Sequence, residues 1–248
     1  MLVDMTMVQK KLKNIKAEYA EIRMSESEAV SIHLSKNMVE TCKAGKTTQG
    51  SVRVYNRGCW GFVSFNTLDM MDYAITHAQE LSHIQKKDDA VTIAAMQSNV
   101  VNQKTKVLKP LHSVSLEEKM ELMHRYNAIL KSSQLVENTN VVYRDSIAHY
   151  YMYNTDETSV DYESSFCGIS FSAIAKDGTV MQPYGESIAQ YGGFELVEDK
   201  YAVAEEVVKT ATELVKAEQV QSGLYNVIAD PKLAGVFIHE AFGHLSEA

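Results

Sequence analysis

The sequence predicts an α+β fold: antiparallel sheets with packed helices in two units, followed by a strand and a helix that open a third domain. Three observations predict it. Runs rich in β-branched and aromatic residues are bounded by turn residues, amphipathic helical stretches flank those runs, and a polar segment from about Asn99 to Pro110 divides the chain. The 248 residues are 45% hydrophobic, enough for more than one core at the usual domain size of about 100–150 residues. The expected units are an N-terminal α+β domain at 1–109, a central β-rich α+β domain at 110–222, and the start of a C-terminal domain at 223–248, truncated at Ala248.

The opening helix follows from Met5, Val8, Leu12 and Ile15 at helical spacing, with Lys10, Lys11, Lys13 and Lys16 on the solvated side. Short strands are predicted at Tyr19–Arg23, Ala29–Ser35 and Met38–Lys43, then at Gln49–Asn56 and Cys59–Phe65 around the turn Asn56-Arg57-Gly58. Thr67 is placed to cap a helix running to about Lys86, whose apolar face includes Leu68, Met71, Ala74, Ile75, Ala78 and Leu81. The second unit opens on a capping box, Ser115 and Glu118, which starts a helix to about Ser132 with Leu116, Met120, Met123 and Leu130 inward. Val141–Tyr153 and Thr158–Lys176 read as long strands, and Asp177-Gly178 as a hairpin turn into a third. Tyr150, Tyr151 and Tyr153 are sheet-packing aromatics in this reading. A helix from about Val197 to Ala217 has Tyr201, Ala204, Val207, Val208, Ala211, Leu214 and Val215 marking its buried side, and Gly223 ends the unit. Leu224–Ala229 is a strand candidate, and Asp230 with Pro231 supplies an N-cap and a first-turn proline for the last helix.

Composition narrows the function. A net charge of -8 argues against a partner held by its phosphates, so no nucleic acid is expected. No stretch approaches the roughly 18 apolar residues of a membrane-spanning helix, and the amino terminus does not have the form of a secretory signal. Cys42, Cys59 and Cys167 are odd in number and far apart, which fits reduced thiols in a cytoplasmic protein. Ala44-Gly45-Lys46-Thr47-Thr48 imitates the end of a phosphate-binding loop, but Glu40 stands where that loop needs its first glycine. Gly50, Gly58 and Gly61 do not form a dinucleotide fingerprint. No serine or cysteine is marked as a nucleophile.

The informative stretch is His239-Glu240-Ala241-Phe242-Gly243-His244. Two imidazoles can hold a divalent ion such as zinc, and a carboxylate between them can take a proton from the water that the ion activates. Ligands at i and i+5 lie about 140° apart on a regular helix, so a straight helix does not aim both rings at one ion. Gly243, directly before the second histidine, permits an end, a kink or a widened π turn. The same residues also suit a partly buried helix end, with one histidine packed in the core and the other solvated. His33, His77, His83, His112, His124 and His149 show no ligand-like spacing.

The chain resembles the TldD/PmbA family, in its metal-binding TldD-like branch. The likeness rests on Ala20-Glu21-Ile22-Arg23, on Gly50-Ser51-Val52-Arg53-Val54 running to Gly58-Cys59-Trp60-Gly61-Phe62, on the turn Asn154-Thr155-Asp156-Glu157 with glutamate where glycine is usual, and on Gly235 to His244. A different family of dipeptidyl peptidases shares His-Glu-x-x-Gly-His, but the Arg53 to Phe62 stretch favours the TldD-like assignment. The resemblance implies a cytoplasmic, zinc-dependent peptidase acting on unfolded or extended peptides, assembled as a homodimer or as a heterodimer with a second family member. It implies His239 and His244 as ligands, Glu240 as catalytic base, and a third ligand, a cysteine, in the family's third domain, so that this chain by itself is expected to be inactive. The competing expectation is a non-catalytic peptide-binding or assembly module acting through its sheet edges.

Overall fold

The computed structural model describes residues 5–84, 93–94 and 97–247. They fall into two units, one up to Lys216 and one from Ala217 on. In the first, the order is α1 (Met5–Lys13), β1 (Tyr19–Ser35), β2 (Met38–Asn56), β3 (Cys59–Phe65), α2 (Met71–Leu81), β4 (Val100–Lys104), α3 (Leu116–Leu130), β5 (Val136–Asn154), β6 (Ser159–Asp177), β7 (Val180–Tyr191) and α4 (Tyr201–Leu214). Helices packed on an antiparallel sheet give the α+β fold that the patterning indicates. The strands of both expected domains lie in one seven-stranded sheet, ordered β3-β2-β1-β5-β6-β4 with β7 also on β6. The join is β1 against β5, antiparallel from Glu21↔Asn154 to Ser35↔Asn140. β4 lies inside the polar segment near residue 100 and pairs parallel to β6.

Several strands are longer than the sequence suggests. Ser25 to Glu28 and Ala44 to Thr48 interrupt the apolar alternation, yet the β1–β2 ladder continues through them, because its bonds come from the backbone whatever the side chains. The phosphate-loop imitation is therefore mid-strand. The β6–β7 turn sits one residue later than expected: Asp177 pairs with Val180, and Gly178, at φ 58, takes the first central position, where a Cβ would be strained. Arg57 (φ 51) and Glu157 (φ 61) adopt the same left-handed region without being glycine, at a cost of about 1–2 kcal/mol each. Thr67 precedes a 3-10 turn at Leu68–Met70, to which its carbonyl but not its side chain bonds, and α2 ends at Leu81. Gln85 and Lys86, at the end of the expected helix, lie outside the described residues.

Side chains alternate across a strand, so Ala20, Ile22 and Met24 share a face of β1 with Ile32 and Leu34. That face is covered by two separate cores. Val8 and Leu12 of α1 and Ala74 and Ala78 of α2 pack on Ile22, Val52 and Tyr153. Leu122, Tyr126 and Leu130 of α3 and Val207 and Ala211 of α4 pack on Ile32, Val141 and Phe171. Between the cores the same face turns polar, with Glu26 and Glu28 on β1 and His149 on β5.

α3 begins on the expected capping box, in which Glu118 N–H donates to Ser115 Oγ at 3.2 Å and Ser115 N–H donates to Glu118 Oε2 at 2.8 Å. Its inner face is rotated from the expected one: Lys119, Leu122, Met123, Tyr126 and Leu130 are buried, and Leu116 is 39% exposed. The cause is a buried charge. Lys119 Nζ donates to Asp145 Oδ2 at 2.6 Å, with the two side chains 6% and 5% exposed, and Tyr143 OH donates to the same oxygen. Breaking such a pair strands a charge and costs about 3–5 kcal/mol, whereas an apolar pair of similar size is often neutral or better. Lys119→Met should lower the unfolding free energy by about that amount, and Lys119→Met with Asp145→Leu should recover most of it in urea unfolding. A silent single variant would show that the pair does not hold α3 to β5.

On the opposite face, Glu21 is 2% exposed and gathers Tyr19 OH at 2.5 Å, Arg23 Nε at 2.7 Å and Arg53 Nη2 at 2.9 Å. Burial alone would raise its pKa; the bonds from Arg53, Tyr19 and Arg23 outweigh that and hold it below the ordinary carboxylate value. A depressed folded-state pKa gives stability that is present above the unfolded value of about 4.3 and is lost as pH falls through the folded value. The stability advantage of the native chain over Glu21→Gln should therefore be full at pH 6 and shrink as pH falls through 4 to 3. A constant difference over that range would exclude linkage through Glu21.

Candidate metal centre

In the second unit, Asp230 caps a helix, its Oδ1 accepting from Leu233 N–H at 2.7 Å, and Pro231 occupies the first turn. This helix, α5, runs from Pro231 to Ile238. The strand expected at Leu224–Ala229 is absent: a strand needs a partner to take its backbone bonds, and no described residue pairs with these. The strand pattern is right for residue type and lacks the partner that would make it one.

After Ile238 the backbone widens into a π turn at His239–Gly243, and His244 N–H donates to His239 C=O before a last helical turn at His244–Ser246. The i to i+5 bond stacks residues 239 and 244 one above the other, which a regular helix cannot do. Their rings are 4.7 Å apart at 74°. Gly243 is helical at φ -57 and ψ -54, and a Cβ there would meet His239 Nδ1 at 3.8 Å, an ordinary contact. Its contribution to the wide turn is low helix propensity, with no special φ and no demand of space.

One donor atom each from His239, Glu240 and His244 lies within 4.8 Å of the others, so the structure brings all three expected residues together. Glu240 Oε2 is 3.7 Å from His244 Nε2, and Glu247 Oε2 is 3.6 Å from His244 Nδ1, placing a carboxylate at each ring nitrogen. Two imidazoles and a carboxylate suit a divalent ion that prefers nitrogen and oxygen donors, zinc among them. Both His244 and Glu240 are more than half exposed. Among the described residues His239 has no hydrogen-bond partner on its ring, so nothing described fixes its tautomer.

The remaining histidines and cysteines stay outside this group. His33 Nε2 is 3.0 Å from Asn140 Oδ1, His83 meets Asn56 and the Gln79 carbonyl, and His149 Nε2 is 3.4 Å from Glu163 Oε2. None of the three cysteines is in a disulfide; Cys59 is half-buried, and burial pushes the Cys167 thiol up to about 11, leaving it protonated and unreactive. Sequence reasoning missed the Glu21 cluster and the Lys119–Asp145 pair. For the first, a signal existed: Tyr19, Glu21 and Arg23 alternate along one strand face. For the second there was none, because Lys119 and Asp145 meet only when α3 is laid on β5.

Two family models match the chain: PmbA/TldA metallopeptidase domain 1 at residues 20–82 and the PmbA/TldA metallopeptidase central domain at 109–215. A metalloprotease of Synechocystis sp. is 32% identical over 94% of this chain and 50% of its own length. A zinc metalloprotease TldD homolog of Saccharolobus solfataricus is 26% identical over 96% of this chain and 52% of its own length. The chain thus spans about half the length of these curated relatives. Among solved structures, one from Bacteroides thetaiotaomicron superposes with a TM-score of 0.78 at 14% identity over 99% of this chain and 58% of that one, and TldE from Thermococcus kodakarensis with 0.64 at 11% over 86% and 47%. Those two likenesses show the fold. In the described residues no helix is long and apolar enough to cross a membrane.

A site with two imidazoles, exposed carboxylates beside only one of them and no bond orienting His239 should bind zinc weakly. Calorimetric titration of the 248-residue chain should show such binding, and His239→Ala or His244→Ala should each abolish it. Tight stoichiometric zinc would reveal a third protein ligand within this chain.

Proposed function

The chain belongs to the TldD/PmbA metallopeptidase family, and from that premise we propose that it supplies two metal ligands and the general base of a zinc-dependent peptidase acting on unfolded or extended peptides. The observation that carries this reading is the i to i+5 turn that brings the His239 and His244 rings edge to face, with Glu240 between them in sequence. A bound zinc ion would polarise the scissile carbonyl and lower the pKa of its water. His239 and His244 would hold that ion. Glu240, which neither imidazole needs as a co-ligand, would accept the water's proton and pass it to the departing amine.

Residues 217–247 supply this set but leave it uncovered. Leu233, Phe237, Phe242 and Leu245 are all more than half exposed, whereas catalysis by a metal needs a shaped cavity with limited water. The cover and the third ligand are assigned to the remainder of the family's length, and part of the cover to a second family member paired with this one.

In a full-length version, Glu240→Gln keeps size and polarity but cannot take up a proton, so peptide hydrolysis should fall by about 10² or more while zinc stays bound. His239→Ala and His244→Ala should lose zinc and activity together. Metal content and rate are to be measured on the same preparations. Loss of zinc from Glu240→Gln would make Glu240 a ligand instead of the base.

A further inference from the structure

His244 is bracketed by two carboxylates. Glu240, four residues before it, has Oε2 3.7 Å from His244 Nε2, and Glu247, three residues after it, has Oε2 3.6 Å from His244 Nδ1. Residues three and four apart are neighbours on a helix surface. The helical turn His244–Ser246 carries Glu247 round to the ring, and the backbone leaves the helix at Glu247 itself, with φ -76 and ψ 97. The two acids therefore divide the imidazole between them, one at each nitrogen. His239 is different: among the described residues no carboxylate lies within ion-pair distance of its ring, which stands edge to face with His244 at 4.7 Å.

This division bears on how the ring can hold an ion. A neutral histidine that ligates through one nitrogen carries its proton on the other, and an acceptor for that proton fixes both the tautomer and the orientation of the ring. Glu240, as the base, has to stand beside the water on the ion, so the nitrogen on its side, Nε2, is the one that faces the ion. Nδ1 then keeps the proton, and Glu247 is the carboxylate beside it. Both side chains are exposed, and as a surface ion pair the contact contributes little to stability. What it decides is which nitrogen is left for the ion.

We propose that Glu247 is a positioning residue of the metal centre, accepting the Nδ1 proton of His244 and so presenting Nε2 to the ion and to Glu240. A hydrogen bond to a charged oxygen runs at about 2.7–2.9 Å, so the 3.6 Å contact has to shorten by roughly an ångström when the proton is on Nδ1. The assignment rests on the metal reading above and adds to it a residue that neither ligates the ion nor touches substrate. It also separates the two histidines. His244 is oriented by a side chain three residues away, whereas nothing described orients His239.

The test combines zinc calorimetry with nitrogen-15 spectroscopy of labelled imidazoles on the 248-residue chain at one fixed pH. With excess zinc, long-range proton–nitrogen correlation of the native chain should show His244 coordinated through Nε2 and protonated on Nδ1. Glu247→Ala should weaken zinc binding about tenfold or more, the usual scale for losing such a carboxylate, and let His244 coordinate through either nitrogen. Glu247→Gln still offers an acceptor to Nδ1 and should stay within about threefold of the native affinity. Unchanged affinity in Glu247→Ala, or coordination of the native His244 through Nδ1, would overturn the proposal. So would a loss in Glu247→Gln as large as in Glu247→Ala, since that makes the carboxylate itself a ligand. The native spectrum needs no substitution, so it decides the assignment even if a variant does not fold. Failure of the two readings is separable: a native chain that takes up no zinc overturns the metal reading, whereas zinc held equally by the native chain and by Glu247→Ala overturns the role of Glu247 alone.

Discussion

The pairing of β1 with β5 is the constraint on which the first unit depends. It joins segments more than a hundred residues apart through fifteen registered positions, so its closure entropy is large and must be repaid by burial on both sides. Each core uses it. Ile22 and Tyr153 belong to the core under α1 and α2, Ile32 and Tyr143 to the core under α3 and α4, and each of these pairs is directly opposed across the two strands. A one-residue slip would turn both rows to the other face at once. That all-or-none penalty makes one sheet from two sequence-distant halves that each match a separate family domain.

The distribution of what was legible in the sequence follows from range. Local signals held: the Ser115–Glu118 capping box, the Asp230–Pro231 helix start, the Asn56-Arg57-Gly58 turn and the buried stripe of α4 depend on neighbours within a few residues. Features set by distant partners did not. The β1–β5 join, the parallel β4 and the absent strand at Leu224–Ala229 are decided by whether a partner backbone is present, which no periodicity encodes. α3 shows the same limit in side chains. A lysine in the buried stripe shifts the apparent inner face, because hydropathy treats Lys119 as solvated and cannot see Asp145 waiting on β5.

At the metal site the residues were legible and the geometry only partly so. His239, Glu240 and His244 are identifiable from their types and order, and an i, i+5 spacing demands a distortion if the two rings are to converge. The structure meets that demand with a π turn, in which His244 N–H donates to His239 C=O. A π turn adds one residue to a helical turn, which is the one-residue excess of this motif over an i, i+4 pair. Spacing and distortion are one feature stated twice: shorten the motif by a residue and the wide turn loses its reason, straighten the turn and the histidines diverge.

The same helix carries a second constraint that bears on how the site is completed. α5 and the turn after it are apolar around most of their circumference, with Leu233, Val236, Phe237, Ile238 and Phe242 all more than half exposed. A helix that is apolar all round belongs inside a protein. Val236 lies three residues before His239, on the same side of the helix, so a body that buries it also closes over the imidazole. Exclusion of water, which strengthens every electrostatic interaction at a metal and at Glu240, then comes from the same contacts that stabilise the helix. Assembly of the chemistry and burial of the apolar surface are therefore one event.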